Sequence, residues 1–86
     1  KIEPDKAFYY RNRGLAKRML DDYTGAISDY TKAIKIKRDY DDAYINRSFA
    51  KGKLGDIKGA CHDYRQLSSI EVLSEQNQNW MRNNCD

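Results

Sequence analysis

The sequence predicts an all-α fold of two stacked helix pairs and one closing helix. Three observations carry that prediction: residues recur at a spacing of 34 positions, apolar side chains recur at helical steps, and no stretch alternates in the manner of a strand. The recurrence is dense. Tyr10/Tyr44, Asn12/Asn46, Arg13/Arg47, Ala16/Ala50, Lys17/Lys51, Leu20/Leu54, Asp22/Asp56, Gly25/Gly59, Ala26/Ala60, Asp29/Asp63, Tyr30/Tyr64 and Ile36/Ile70 are all identical pairs. That is more agreement than two unrelated segments of this composition share. A period of this size marks a supersecondary unit that buries its apolar face by stacking on a neighbour.

Each unit divides into two helices. In the first helix Tyr10, Gly14, Lys17 and Leu20 form a stripe, with Ala16 adding a small surface. In the second, Ala26, Tyr30 and Ala33 form one stripe, and Ile27 with Ile34 forms another that should pack on the next unit. Asp22 and Asp56 stand where the second helices need an N-cap, and Asp5 and Asp39 hold the same position before the first helices. The predicted divisions are residues 1–6 as the tail of a preceding unit or an N-cap, 7–40 and 41–74 as the two units, and 75–86 as a capping helix. In that last segment Trp80 and Met81 cover the open end while Gln76, Asn77, Asn79 and Asn83 stay wet.

Composition narrows the function classes. Eighty-six residues make one small domain with little room for a buried catalytic cleft. Its apolar runs are too short to span a membrane. The first residues lack the pattern of a secretory signal and no initiator Met is present, so the stretch reads as a mature form or a segment of a longer chain. The net charge of +3 is spread as ten Lys/Arg against six Asp/Glu in residues 1–40 and six against seven in 41–86. Such a mild bias is not the basic patch of a nucleic-acid binder.

These residues resemble a known family. "YRNRGLAKRMLDDYTGAISDYTKAI" and "YINRSFAKGKLGDIKGACHDY" are similar to tetratricopeptide repeats. Tyr10, Gly14, Ala26, Tyr30, Ala33, Tyr44, Ala60 and Tyr64 fall on the family's signature positions. Ser48 departs from the small Gly, Leu67 from the second Ala, and Arg38 and Val72 from the repeat-ending Pro. "KIEP" looks like the tail of a preceding unit, which implies an array continuing upstream. The resemblance implies a right-handed α-α superhelix whose first helices line a concave groove that captures a peptide or protein.

On that face lie Phe8, Arg11, Asn12, Leu15, Arg18 and Met19 from the first unit, and Asp42, Ile45, Asn46, Phe49 and Lys53 from the second. Phe8, Leu15, Ile45 and Phe49 give it an apolar character suited to contact. Asn12 and Asn46 are suited to an extended peptide backbone, and Arg11 with Arg18 to a carboxylate. The alternative is plain packing between units. Arg11 and Asn46 match part of the carboxylate clamp of some relatives, but Leu15 stands where that grip needs an Asn and a third unit is missing. The expected function is therefore a non-catalytic protein-interaction module with no cofactor and an unidentified protein or peptide partner, not nucleic acid or membrane. The second expectation is a structural module that self-associates into a homo-oligomer through its exposed faces.

Cys61 takes the place that Ile27 holds in the first unit. If the terminal helix runs antiparallel to residues 57–69, Cys61 and Cys85 reach the same end of a hairpin. A bridge there would contribute roughly 3–4 kcal/mol on the chain-entropy model. The other reading is a buried apolar Cys61 with Cys85 as a terminal thiol, both reduced. Catalysis and metal binding find little support. Cys61 and the adjacent His62 point about 100° apart on a helix, and no fourth zinc ligand accompanies them with Cys85.

Overall fold

A computed structural model describes residues 4–85. Among them are five α-helices: α1 (Pro4–Met19), α2 (Tyr23–Ile36), α3 (Asp41–Lys53), α4 (Ile57–Arg65) and α5 (Glu75–Asn84), with a 3₁₀ turn at Ile70–Val72 before α5. The chain is all-α, and adjacent helices pack in pairs: α1 on α2, α2 on α3, α3 on α4, and α4 more sparingly on α5. Packing in chain order stretches the body to 40 × 27 × 19 Å.

The turns inside the first two hairpins share one chemistry. The Asp22 amide donates to the Lys17 carbonyl at 2.8 Å and the Asp21 amide to the Arg18 carbonyl at 2.9 Å. The second hairpin repeats this, from Asp56 to Lys51 at 2.9 Å and from Gly55 to Gly52 at 3.0 Å. These bonds satisfy the last helical carbonyls and place the residue between in the left-handed region. That residue is Asp21 in one turn and Gly55 in the other. The next aspartate then caps the following helix, with Asp22 accepting from the Gly25 amide and Asp56 from the Gly59 amide.

Two helix starts depart from the sequence reading. α1 begins at Pro4, a position proline suits at a helix start. Asp5 therefore lies inside α1 rather than ahead of it, and of the predicted 1–6 tail only residues 1–3 lie outside the described residues. Before α3 the cap position is Tyr40, without a side-chain bond, while Asp39 accepts from Lys37 at 3.2 Å. α5 is capped by Ser74, whose hydroxyl accepts from the Asn77 amide.

The core is built mainly from small residues, with Tyr30, Tyr64, Ile34 and Leu73 as its larger side chains. Ala26, Ala33, Ala43, Ala50, Ala60 and Tyr30 are fully buried. At the α2–α3 seam Ala33, Ile34 and Ala43 form a cluster flanked by Tyr10, Tyr40 and Tyr44. Gly14 allows α1 and α2 to approach closely, since a Cβ there would stand 2.7 Å from Cε1 of Tyr30. Leu20, placed in the packing stripe by sequence, and its counterpart Leu54 are exposed because each helix has already turned into its cap. Ser68, the counterpart of Ile34 in the second unit and so expected to face α5, does not do so. It turns back to α3, where its hydroxyl donates to Asp41 at 2.6 Å.

Beneath each hairpin lies a buried aspartate. Asp29 receives Arg13 at 2.8 and 2.9 Å and Lys17 at 3.1 Å; Asp63 receives Arg47 at 2.7 and 2.9 Å and Lys51 at 3.2 Å. Bidentate guanidinium bonds of this kind compensate the desolvation of a buried carboxylate. The hydrogen bond from Arg13 is the main influence holding the Asp29 carboxyl below its ordinary value, with Lys17 adding to it against the effect of burial.

Candidate interaction face

α1 and α3 present neighbouring faces, and their side chains meet in two clusters. The first is polar. Arg11 donates from Nε and Nη2 to the two carboxylate oxygens of Asp42 at 2.7 and 2.9 Å, and from Nη1 to Asn12 at 3.0 Å. Asn46 adds its amide to the same Asp42, at 2.8 Å to the side chain and 2.8 Å to the carbonyl. The Arg11 pKa is raised, chiefly by the Asp42 hydrogen bond. Arg11, Asn12, Asp42 and Asn46 are thus joined into one network that bridges α1 and α3.

The second cluster is aromatic and cationic. The Arg18 guanidinium stands over the Phe49 ring, 4.4 Å from its centroid, and the Lys53 ammonium lies 5.5 Å from the same centroid. Tyr23 approaches Phe49 at 6.4 Å between centroids. Cation–π attraction holds both charges near the ring. Tyr30 lies below, fully buried, its hydroxyl without a hydrogen-bond partner among the described residues. Burial pushes that phenol's pKa upward, and the positive charges of Arg18 and Arg11 oppose the rise. Leu15 and Ile45 are half-buried on this face, whereas Phe8 and Met19 are exposed.

Beside Phe49 the surface deepens into a cleft of about 380 Å³. Ser48, Phe49, Gly52 and Lys53 of α3 form one wall, Tyr64 of α4 the back, and Gln76, Asn77 and Trp80 of α5 the other wall. Its lining is aromatic, with one cation, two amides and no carboxylate. Trp80 meets Tyr64 at 5.8 Å between ring centroids. A Cβ added to Gly52 would lie 3.7 Å from Trp80, so the small residue keeps the cleft open there.

The α5 wall was not assigned to this face from sequence, because residues 75–86 share no identity with either unit at the 34-residue spacing. The available signal was Trp80, the chain's one tryptophan, next to Met81 in a polar segment. Both are half-buried, and α5 has no fully buried residue among those described. Cys61 and Cys85 are joined by a disulfide, with Cα atoms 5.7 Å apart. His62 is exposed beside it. No group of three or more His, Cys, Asp or Glu among the described residues is placed to hold a metal ion, and no helix there is long and apolar enough to cross a membrane.

No protein-family model, curated protein or solved structure matches the chain.

Proposed function

We propose that this chain is a non-catalytic interaction module that binds a peptide or protein segment along α1 and α3 and into the α3–α5 cleft. The segment carries an acidic residue beside an aromatic or large apolar one. The cleft is the observation that carries this reading: aromatic walls, the Lys53 ammonium and no lining carboxylate suit an apolar side chain with a neighbouring negative charge. Arg11 is engaged by Asp42, so the cations that meet the ligand are Arg18 and Lys53. The finer architecture belongs to the same proposal. Residues 7–40 and 41–74 act as two repeats of the tetratricopeptide kind in a right-handed superhelix, closed by the capping helix. The matching salt-bridge sets at Asp29 and Asp63, 34 residues apart, support it.

A second reading, self-association through α1, is favoured by the exposed Phe8 and Met19. One experiment separates the two. Fluorescein-labelled peptides with a fixed Asp-Phe pair in random flanks are screened by fluorescence polarisation, and the bound face is mapped by amide chemical shifts. Binding should shift Arg18, Phe49, Lys53 and Trp80. The doubly substituted Phe49→Ala, Lys53→Glu protein should bind at least about tenfold more weakly, a difference of about 1.4 kcal/mol. If no peptide binds and the protein sediments as a dimer, self-association replaces peptide capture.

A further inference from the structure

We propose that the Cys61–Cys85 bond is a reversible clasp: a dithiol reductant opens it, α5 leaves α4, and the cleft loses its outer wall. This inference rests on the peptide-binding reading above and adds its regulation. α5 is held by little else. It has no fully buried residue, packs chiefly on α4, and at ten residues is shorter than helices that persist alone in water. Its N-terminal end follows the 3₁₀ turn and the Ser74 cap, while its C-terminal end is tied by Cys85, the C-cap residue. Between those ends only Trp80 and Met81 are half-buried apolar anchors.

The clasp and the binding face are joined directly. Cys61 and Tyr64 lie one helical step apart on α4, and Tyr64 carries Trp80. Gln76, Asn77 and Trp80 leave the cleft if α5 swings away, and Phe49 and Lys53 then face open solvent.

The exchange balances without a metal or cofactor. A thiolate of the dithiol attacks Cys85 Sγ, because Cys85 is half-buried whereas Cys61 is buried, only 4% exposed. A mixed disulfide forms at Cys85, and the electron pair of the broken bond leaves on Cys61, which takes a proton. The second thiolate of the reductant displaces Cys85, which is protonated in turn. The protein gains two electrons and two protons, and the reductant ends as a disulfide.

The test uses the full chain in its oxidised form, after dithiothreitol, and as the Cys85→Ser variant, which alters the less buried partner. Two readouts are taken: amide hydrogen exchange along the chain, and polarisation of a labelled peptide selected as above. In the reduced protein and in Cys85→Ser, α5 amides should lose protection while those of α1–α3 keep it. If the docked population of α5 falls to about a tenth, peptide affinity should fall about tenfold and return on reoxidation. Protected α5 amides in the reduced protein overturn the clasp. Released α5 with unchanged affinity overturns its control of binding but leaves the binding face standing. If the oxidised protein binds no peptide, the binding reading fails and the regulatory step with it, while hydrogen exchange still decides whether the bond clasps α5.

Discussion

The first helix pair and the second set the same two cations, an arginine and a lysine, around the same buried carboxylate, yet the two sites are not equivalent. Around Asp29 the side chains of Arg13 and Lys17 are 39% and 34% exposed; around Asp63 those of Arg47 and Lys51 are 14% and 19% exposed. The difference comes from what stands alongside. Arg13 sends Nη1 to the exposed Tyr9 hydroxyl at 3.2 Å, at the edge of the described fold. Arg47 sends Nη1 to Thr31 of α2 at 3.1 Å, inside the seam between the pairs. Identical residues set identical bonds, and the neighbour decides how much water reaches them.

The sharpest way to test that comparison is to remove each carboxylate charge. Asp63→Asn leaves two covered cations without a counter-charge and should destabilise the fold by about 3–5 kcal/mol. Asp29→Asn leaves its cations partly in water, which screens them, and should cost about 1–3 kcal/mol. Urea unfolding of both variants measures the gap, and equal losses would break the argument from burial. Acid supplies an independent check. The Asp29 pKa is lowered in the folded state, so its stabilisation is complete above the ordinary carboxylate value of about 3.9 and is lost as pH falls from there through the lowered value. Wild-type melting temperature should therefore drop below about pH 4, and Asp29→Asn should lose less of its own stability over that interval.

The next contrast is Gly14 against Ser48. In the first pair the bare glycine admits the Tyr30 ring. In the second, Ser48 is buried with its hydroxyl donating to the Ile45 carbonyl at 2.8 Å, and Tyr64 packs with Trp80 of α5. Gly14→Ser would push a Cβ into Tyr30 and should cost about 1–3 kcal/mol by overpacking. Ser48→Gly only loosens a helix interior and should cost about 0.5–1 kcal/mol. Thermal melts of the two exchanges should differ in that order. A larger loss from Ser48→Gly would mean that the second pair depends on the serine more than its contacts account for.

These contrasts also show what was legible in the sequence. The 34-residue identities located both hairpins, the burial of Tyr30 and the caps at Asp22 and Asp56, because each depends on residues close in sequence or on one helix face. Asp29 and Asp63 stood among those identities beside Arg13, Lys17, Arg47 and Lys51. Their pairing needed the α-hairpin geometry that brings positions 16 apart into contact. Asp5 and Asp39 were misplaced as caps because a proline start and a bare Tyr40 cap serve those helices instead. On the candidate face, Arg11, Asp42 and Asn46 were readable as surface positions but not as a network, since the Arg11–Asp42 bond that joins them crosses from α1 to α3. The α5 wall depends on where a non-repeating segment docks, and no spacing rule reaches it.

The smallest effect concerns the turns, where Asp21 and Gly55 hold corresponding places with φ of 63° and 84°. A left-handed conformation costs an L-residue roughly 1–2 kcal/mol, less for aspartate, and glycine almost nothing. Asp21 offsets part of this by accepting from the Tyr23 hydroxyl at 3.0 Å, a bond that also holds the phenol's pKa up. Asp21→Gly gives the first turn the residue of the second. Relieved backbone strain and the lost tyrosine bond then oppose each other, together with the greater freedom of glycine in the unfolded chain. The expected outcome is a gain of up to about 0.5 kcal/mol by urea unfolding, and Tyr23→Phe alone should lose about as much, since an exposed bond of this kind is worth little more. If Asp21→Gly instead destabilised the protein by more than Tyr23→Phe does, the aspartate would hold the turn through more than its hydroxyl partner, and the two turns would differ in kind rather than in degree.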